Sequence, residues 1–322
     1  MATTKKTTTR KAKSYKKAPR KDVHQIITDQ IIASLESGTG AWQKGWTCGE
    51  ENGINSLQPV NATTGKAYTG INRLILALMM MNSDYKENKW VTYKQAKAEG
   101  WQVIRKQTGV MLAYYGSAEK KQDEEAKNND EEKEYYSFAS PFTVFNVAQL
   151  EGYEAKETIT PPAAITENHP LLQRILENTE VRFLPEAGNE AFYVPSQDVI
   201  QMPPRKAFKS DSAYASVICH ELVHSVKLPH RCDRDYKSKY DTKEAYAREE
   251  LVAELGAAFL CSEMDCVGET IENHASYINS WIQLLKHDKK AIFKAAADAQ
   301  KSTNFIMREW AEKAQDDTEQ AA

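Results

Sequence analysis

The stretch CHELVHSVKLPH at 219–230 constrains this chain more than any other. His220 and His224 stand one helical turn apart, with Glu221 beside the first. Side chains at i and i+4 share a helix face, with Cβ atoms about 5–6 Å apart. Two imidazoles so placed can reach one Zn2+ through nitrogens about 2.0–2.1 Å from the ion. Glu221 can then take the proton of a water held there as it attacks a carbonyl, and pass it to the leaving amine. The neighbours Val217, Ile218, Leu222 and Val223 are apolar, so the helix is expected to be buried, and buried histidines need partners. A fold that buries this helix must press a second element against it and supply a third ligand.

Three residues compete for that role. His230 is one, because HELVHSVKLPH has histidines where H-E-x-x-H-x-x-G-x-x-H has them. That pattern turns the chain on a glycine, and here the position is Lys227, a residue disfavoured at positive φ. Glu250 in EELVAELGA is the preferred candidate, completing a His2Glu set with a fourth position open. Glu254 lies one turn on, as an alternative ligand or as the group that orients a ligand histidine through its other ring nitrogen. Glu249 points about 100° away on ideal helical geometry and is expected to be solvated.

The surrounding pattern is that of an α+β chain in two domains. At 322 residues it is long enough for two separate cores. DVHQIITDQIIASLESG (22–38) has helical apolar spacing. QPVNATTGKAYTGINRLILALMM reads as a turn-rich loop entering a buried helix. Residues 89–116 read as a strand start, a short helix at 93–99 and β-rich segments, and SPFTVFNVAQL (140–150) returns to strand. The charged stretch 117–136 reads as a solvated insertion. The Thr- and Pro-rich KETITPPAAITENHP marks a boundary, giving residues 22–155, a linker 156–168, a second domain 169–315 and a tail 316–322. In the second domain a helix near 170–178 and short strands precede helices near 212–227, 243–264 and 275–286. Strand DVIQMP is expected at a sheet edge, where it could pair with an extended peptide.

Charge separates the N-terminus from the rest. Residues 1–21 carry nine Lys or Arg and no acid, leaving 33 basic against 45 acidic residues elsewhere. Such an arm cannot fold alone, and its ordinary partner is an acidic polymer such as nucleic acid. Single strands are held by aromatics that stack on bases and cations that track phosphates. Trp42, Trp46, Tyr68, Trp90, Tyr93 and Trp101, interleaved with Lys44, Lys66, Arg73, Lys89, Lys94, Arg105 and Lys106, are the candidates for this, although for any one Trp a core role is the first expectation. The loop NATTGKAYTGIN, with Asn72, could present backbone donors to phosphate. The odd count of five cysteines without framework spacing points to reduced thiols in a cytoplasm, with Cys261 and Cys266 buried as small apolar groups. The apolar run LILALMMM is too short for the roughly 20 residues a membrane span needs, and the N-terminus lacks a secretory apolar core.

Taken together, PVNATTGKAYTGINRL, KWVTYKQAKAEGWQV, FTVFNVAQL, CHELVHS and YAREELVAELGAAFL resemble the ArdC-type antirestriction proteins of conjugative plasmids and mobile elements. The resemblance runs from about residue 22 to 312. It implies an N-terminal single-stranded-DNA-binding domain, a C-terminal zincin-like metallopeptidase domain acting on an unknown protein substrate, and protection of incoming DNA from restriction. By position it implies zinc on His220, His224 and Glu250 with Glu221 as base. The chain departs from the family pattern in its 117–136 insertion and in VKLPH, where relatives tend to have a Thr-Gly step.

Overall fold

The apolar spacing of the first ordered segment becomes helix α1, Val23–Glu36, which buries Ile27, Ile31, Ile32 and Leu35. The computed structural model describes residues 22–36, 57–119, 135–155, 163–236, 239, 241–266 and 274–312. The basic segment 1–21, Trp42, Lys44, Trp46, Cys48 and most of the charged insertion lie outside the described residues.

The N-terminal half continues with β1 (Val60–Asn61), α2 (Gly70–Met81), β2 (Lys89–Thr92), α3 (Tyr93–Ala98), β3 (Gln102–Val103), β4 (Val110–Glu119), β5 (Tyr135–Asn146) and β6 (Leu150–Glu151). One sheet has the order β1-β2-β5-β4, and β3 pairs with β6 in a small second one. The long antiparallel hairpin β4–β5 sets Val110 opposite Val144 and Tyr115 opposite Ala139. β4 is an edge strand, and α2 covers part of that edge. The Asn72 side chain donates to the Ala113 carbonyl at 2.8 Å and accepts from its N–H at 2.9 Å. The short α3 starts where expected because Thr92 and Gln95 form a capping box.

The C-terminal half holds α4 (Pro170–Asn178), the strands β7 (Arg182–Phe183), β8 (Phe192–Val194) and β9 (Val199–Gln201), then α5 (Asp211–Ser225), α6 (Thr242–Glu263), α7 (His274–His287) and α8 (Ala291–Ile306). A π-helical stretch, Met307–Glu312, follows α8. The sheet order β7-β9-β8 corrects the expectation for DVIQMP: its strand β9 is central, with both sides already paired. Helix α8 was not foreseen from the sequence, yet it packs on α2, α6 and α7.

The chain has the two α+β domains expected, but their apolar cores are continuous rather than separate. One apolar cluster runs from Ile27 and Leu74 through Leu222 and Leu255 to Ala299, with a satellite around Val91, Ala96, Val147 and Leu150. Helix α1 lies on α7, clamped at its rim by Lys286–Glu36 and Lys289–Asp22, each 2.6 Å. Helix α2 lies on α8, and its buried Arg73 donates to Glu263 at 2.6 Å and to the Phe259 carbonyl at 3.0 Å, both on α6. Neither half keeps its whole core without the other. Cys219, Cys232, Cys261 and Cys266 are buried free thiols, and no helix among the described residues is long and apolar enough to cross a membrane.

Candidate metal centre

Ser210 begins the histidine-bearing helix: its hydroxyl accepts from the Ala213 N–H at 3.0 Å, and Asp211 adds an acid in the first turn. From Ala215 to Ser225 every side chain of α5 is buried, as its apolar composition requires. Asp241 caps α6 by accepting from the N–H groups of Lys243 and Glu244. The two helices approach closely because residue 256 is glycine. A Cβ there would stand 2.7 and 2.8 Å from the two methyls of Val223, inside any normal contact. This approach carries Glu250 to the histidines.

His220 Nε2 and His224 Nε2 are 3.1 Å apart, and each lies 3.6 Å from an oxygen of Glu250. Ligands about 2.0–2.1 Å from a tetrahedral ion stand roughly 3.3–3.4 Å from one another. Glu250 turns Oε2 to His220 and Oε1 to His224, so the three side chains form a cluster of the size a small divalent cation requires. Glu221 is also buried, and its Oε2 accepts no hydrogen bond from the described residues. A buried carboxylate oxygen with that opening is suited to water or to a polar ligand at the centre.

The side chains behind the triangle hold it in place. Glu249 Oε1 is 3.0 Å from His224 Nδ1, and the carboxylate takes two 2.9 Å hydrogen bonds from the Arg234 guanidinium. Arg234, itself buried, also donates to Ser302 of α8 at 2.7 Å and to the Val223 carbonyl at 2.9 Å. This corrects the reading of Glu249 as solvated: its side chain is only 13% exposed. The 100° rotation from Glu250 is real, but α6 has protein on nearly every side, so rotation away from one neighbour meets another. Glu254 comes to 3.8 Å from His220 Nδ1, an electrostatic neighbour beyond hydrogen-bond distance. His230 is 57% exposed and faces Glu180 at 4.0 Å, away from the triangle.

Charge in the centre is matched before any cation enters. Burial pushes the His220 imidazolium down, but the Glu250 hydrogen bond and the charges of Glu221 and Glu254 outweigh it and hold the pKa up at about 9. Burial pushes Glu249 up, and Arg234 together with His224 more than reverses this, leaving it well below the ordinary carboxylate range. Glu250 is lowered against its burial by both histidines and by the Tyr246 hydroxyl, which also meets Tyr277 at 2.9 Å.

Residues 21–145 match the N-terminal domain of anti-restriction factor ArdC, and residues 170–298 match a zincin-like metallopeptidase family. The metal-free crystal structure of the antirestriction protein ArdC from plasmid R388 is 33% identical, covers 90% of this chain and 98% of its own, and superimposes with a TM-score of 0.76. Its Mn(II)-bound structure is 32% identical over the same shares, with a TM-score of 0.71. The chain belongs to the ArdC family of antirestriction proteins. The uncharacterized protein y4eC of Sinorhizobium fredii (strain NBRC 101917 / NGR234) is 32% identical over 88% of this chain and 91% of its own length. An Escherichia coli DNA primase TraC is 33% identical over 90% of this chain, which spans only 20% of that longer protein.

Within the ArdC N-terminal half, several of the residues expected to meet nucleic acid are structural. Trp90 is fully buried, with its indole N–H on Asn88 at 2.8 Å, and Arg73 is 1% exposed in its pair with Glu263. Neither can reach a base or a phosphate, which corrects both assignments. Trp101 packs edge-on against Tyr153, and Lys89 pairs with Glu87 at 3.1 Å. Tyr68 is half-buried and accepts from Asn61, and the amide of Asn72 is committed to Ala113. Asn61 Oδ1 also accepts from the N–H groups of Thr63 and Thr64, and Gly65 N–H goes to the Asn61 carbonyl. The backbone donors of Thr63, Thr64 and Gly65 are thus spent within the turn, rather than presented to phosphate as expected. Tyr93, Lys94, Lys66, Arg105 and Lys106 remain exposed.

Proposed function

We propose that this ArdC-family protein binds single-stranded DNA and carries a zinc-dependent peptidase centre, the two together protecting incoming DNA from restriction. The observation that carries the peptidase reading is the His220–His224–Glu250 triangle with the open Glu221 carboxylate beside it. His220, His224 and Glu250 would hold the ion, and Zn2+ supplies a Lewis acid at that point when bound. The bound manganese of the R388 relative supports a divalent cation for this family, and the H-E-x-x-H helix with a carboxylate third ligand supports zinc as that cation. Glu221 takes the proton of the attacking water and delivers it to the departing amine. Glu249, held by Arg234, fixes the His224 tautomer that leaves Nε2 facing the centre. Glu254 stands 3.8 Å from His220 Nδ1 and contributes its charge there, too far for a hydrogen bond.

The low exposure of the centre favours a second reading. His220, Glu221, His224 and Glu250 are all buried to within a tenth of full cover. In that case the ion clamps α5 to α6 as a structural or regulatory element of a strand-coating protein, without proteolysis. Cleavage profiling of a peptide library by mass spectrometry, with wild type and Glu221→Gln loaded with zinc, separates the two. The peptidase reading expects cleavage that falls by about 10²–10⁴ in Glu221→Gln at unchanged zinc content. No cleavage by either, with and without DNA, would leave the clamp reading in its place, and equal cleavage by the two would remove Glu221 from the mechanism.

A further inference from the structure

A cleft of about 1040 Å3 opens where the two halves meet. One wall is N-terminal, with His24 of α1, the first residues of α2, and Tyr114 and Tyr115 of the edge strand β4. The other wall is C-terminal and is formed mainly by α8. Five cations line it, Arg231, Lys290, Lys294, Lys301 and Arg308, and no Asp or Glu does so among the described residues. In a chain of net charge −3, that segregation of one sign on a concave surface is not what composition alone would produce. Arg231 is committed to Asp198 by hydrogen bonds of 2.8 and 2.6 Å; Lys290, Lys301 and Arg308 are exposed, with Lys301 donating to the Cys232 carbonyl and Arg308 pairing with Glu309 at 2.7 Å.

Aromatic rings accompany the cations. Tyr114 and Tyr115 are 58% and 50% exposed, an unusual state for two adjacent rings on a strand. Behind Tyr115, Phe293 of α8 packs edge-on against His24 at 4.6 Å and stands 6.3 Å from the Tyr115 ring, so α8 and β4 meet at this point through their rings. The start of α2 also opens into the cleft and adds the positive end of a helix dipole. The nine cations of residues 1–21 join the described chain at Asp22, two positions before His24. Exposed rings beside a concave wall of cations that no Asp or Glu among the described residues lines suit a polymer with free base faces and a phosphate backbone, and a duplex offers only the latter.

We infer that single-stranded DNA lies in this cleft, with bases against Tyr114 and Tyr115 and phosphates against Lys290, Lys294 and Lys301 of the C-terminal half. This rests on the single-strand reading above and moves its site from the N-terminal half to the junction, so that the peptidase-like half supplies the phosphate contacts. The test uses the full-length protein and a fluorescently labelled 20-mer oligothymidine titrated at several salt concentrations. Tyr114→Ala with Tyr115→Ala should weaken binding about 5- to 150-fold per lost stack with little change in salt slope. Tyr114→Phe with Tyr115→Phe keeps the ring faces and should bind like wild type, which separates stacking from misfolding. Lys290→Glu with Lys301→Glu should flatten the slope by about 1.4, at roughly 0.7 per single-strand phosphate contact. Loss confined to a Lys66→Glu with Lys94→Glu variant would overturn the cleft and leave single-strand binding standing. Absence of any single-strand binding by wild type would overturn both, and tighter binding of oligouridine would replace DNA with RNA as the occupant.

Discussion

Replacing Glu249 with glutamine tests how far the centre depends on side chains that never touch the ion. The carboxylate accepts from Arg234 twice at 2.9 Å and stands 3.0 Å from His224 Nδ1. A glutamine amide has one acceptor oxygen, so its NH2 must face a donor, either the guanidinium or the imidazole N–H. If it faces the imidazole, His224 loses its preferred tautomer and some basicity, and loss of such a partner typically lowers metal affinity 10- to 100-fold. That range corresponds to about 1.4–2.7 kcal/mol. Arg234 is 3% exposed and loses its counter-charge at the same time. Removing one partner of a buried pair outright costs about 3–5 kcal/mol, and the retained amide oxygen places this substitution at or below the lower end. A melting point lowered by roughly 2–5 °C follows for a chain of this size. Competition against a chromophoric zinc chelator reads the first effect, and thermal unfolding of the metal-free protein reads the second. Zinc affinity within about twofold of wild type in a folded Glu249→Gln protein would refute the role given to this carboxylate.

Other substitutions follow from the same geometry. Gly256→Ala places a methyl against the stiff Val223 side chain, so α5 and α6 must part; overpacking of about 1–3 kcal/mol should exceed the helix-propensity gain of about 1 kcal/mol and zinc binding should weaken, and a stabilised variant with full zinc affinity would contradict the close approach. Glu250→Ala should abolish stoichiometric zinc binding while His230→Ala leaves it unchanged, as read by metal analysis after dialysis; the reverse result would reassign the third ligand. Asp198 is pushed up by burial but brought below its ordinary pKa by Arg231 and Tyr193, so its contribution is complete above about pH 4 and is lost as pH falls below it. Asp198→Asn, a side chain suited to the φ of 52° at this position, should flatten the acid limb of melting temperature against pH, and an unchanged limb would show that the pair adds nothing.

The metal centre was largely legible in the sequence because its signals are local. The i, i+4 histidines and their apolar neighbours announce a buried helix, and Glu250 is singled out by ligand type on the next helix. Glu249 was not legible because a helical wheel assumes one buried face, whereas α6 is covered on almost all sides. Helix α8 escaped because KKAIFKAAADAQ has no cap or stop residue to announce it, although Ile292, Phe293, Ala295, Ala296 and Ala299 carry the apolar spacing that could have revealed it. The nucleic-acid candidates fared worst, since Trp90 and Arg73 have the residue types of a binding surface and the burial of a core. Tyr114 and Lys290 come together only through the pairing of β4 with β5 and the docking of α2 on α8. No spacing along the chain encodes that contact.

Anomalous diffraction at the zinc edge from crystals of the zinc-loaded protein addresses the central assignment directly. The account predicts one strong peak between α5 and α6, about 2.0–2.1 Å from His220 Nε2, His224 Nε2 and an oxygen of Glu250, with the Glu221 carboxylate facing the remaining coordination position. A peak ligated by His230, or four protein ligands with no position left open, would contradict it.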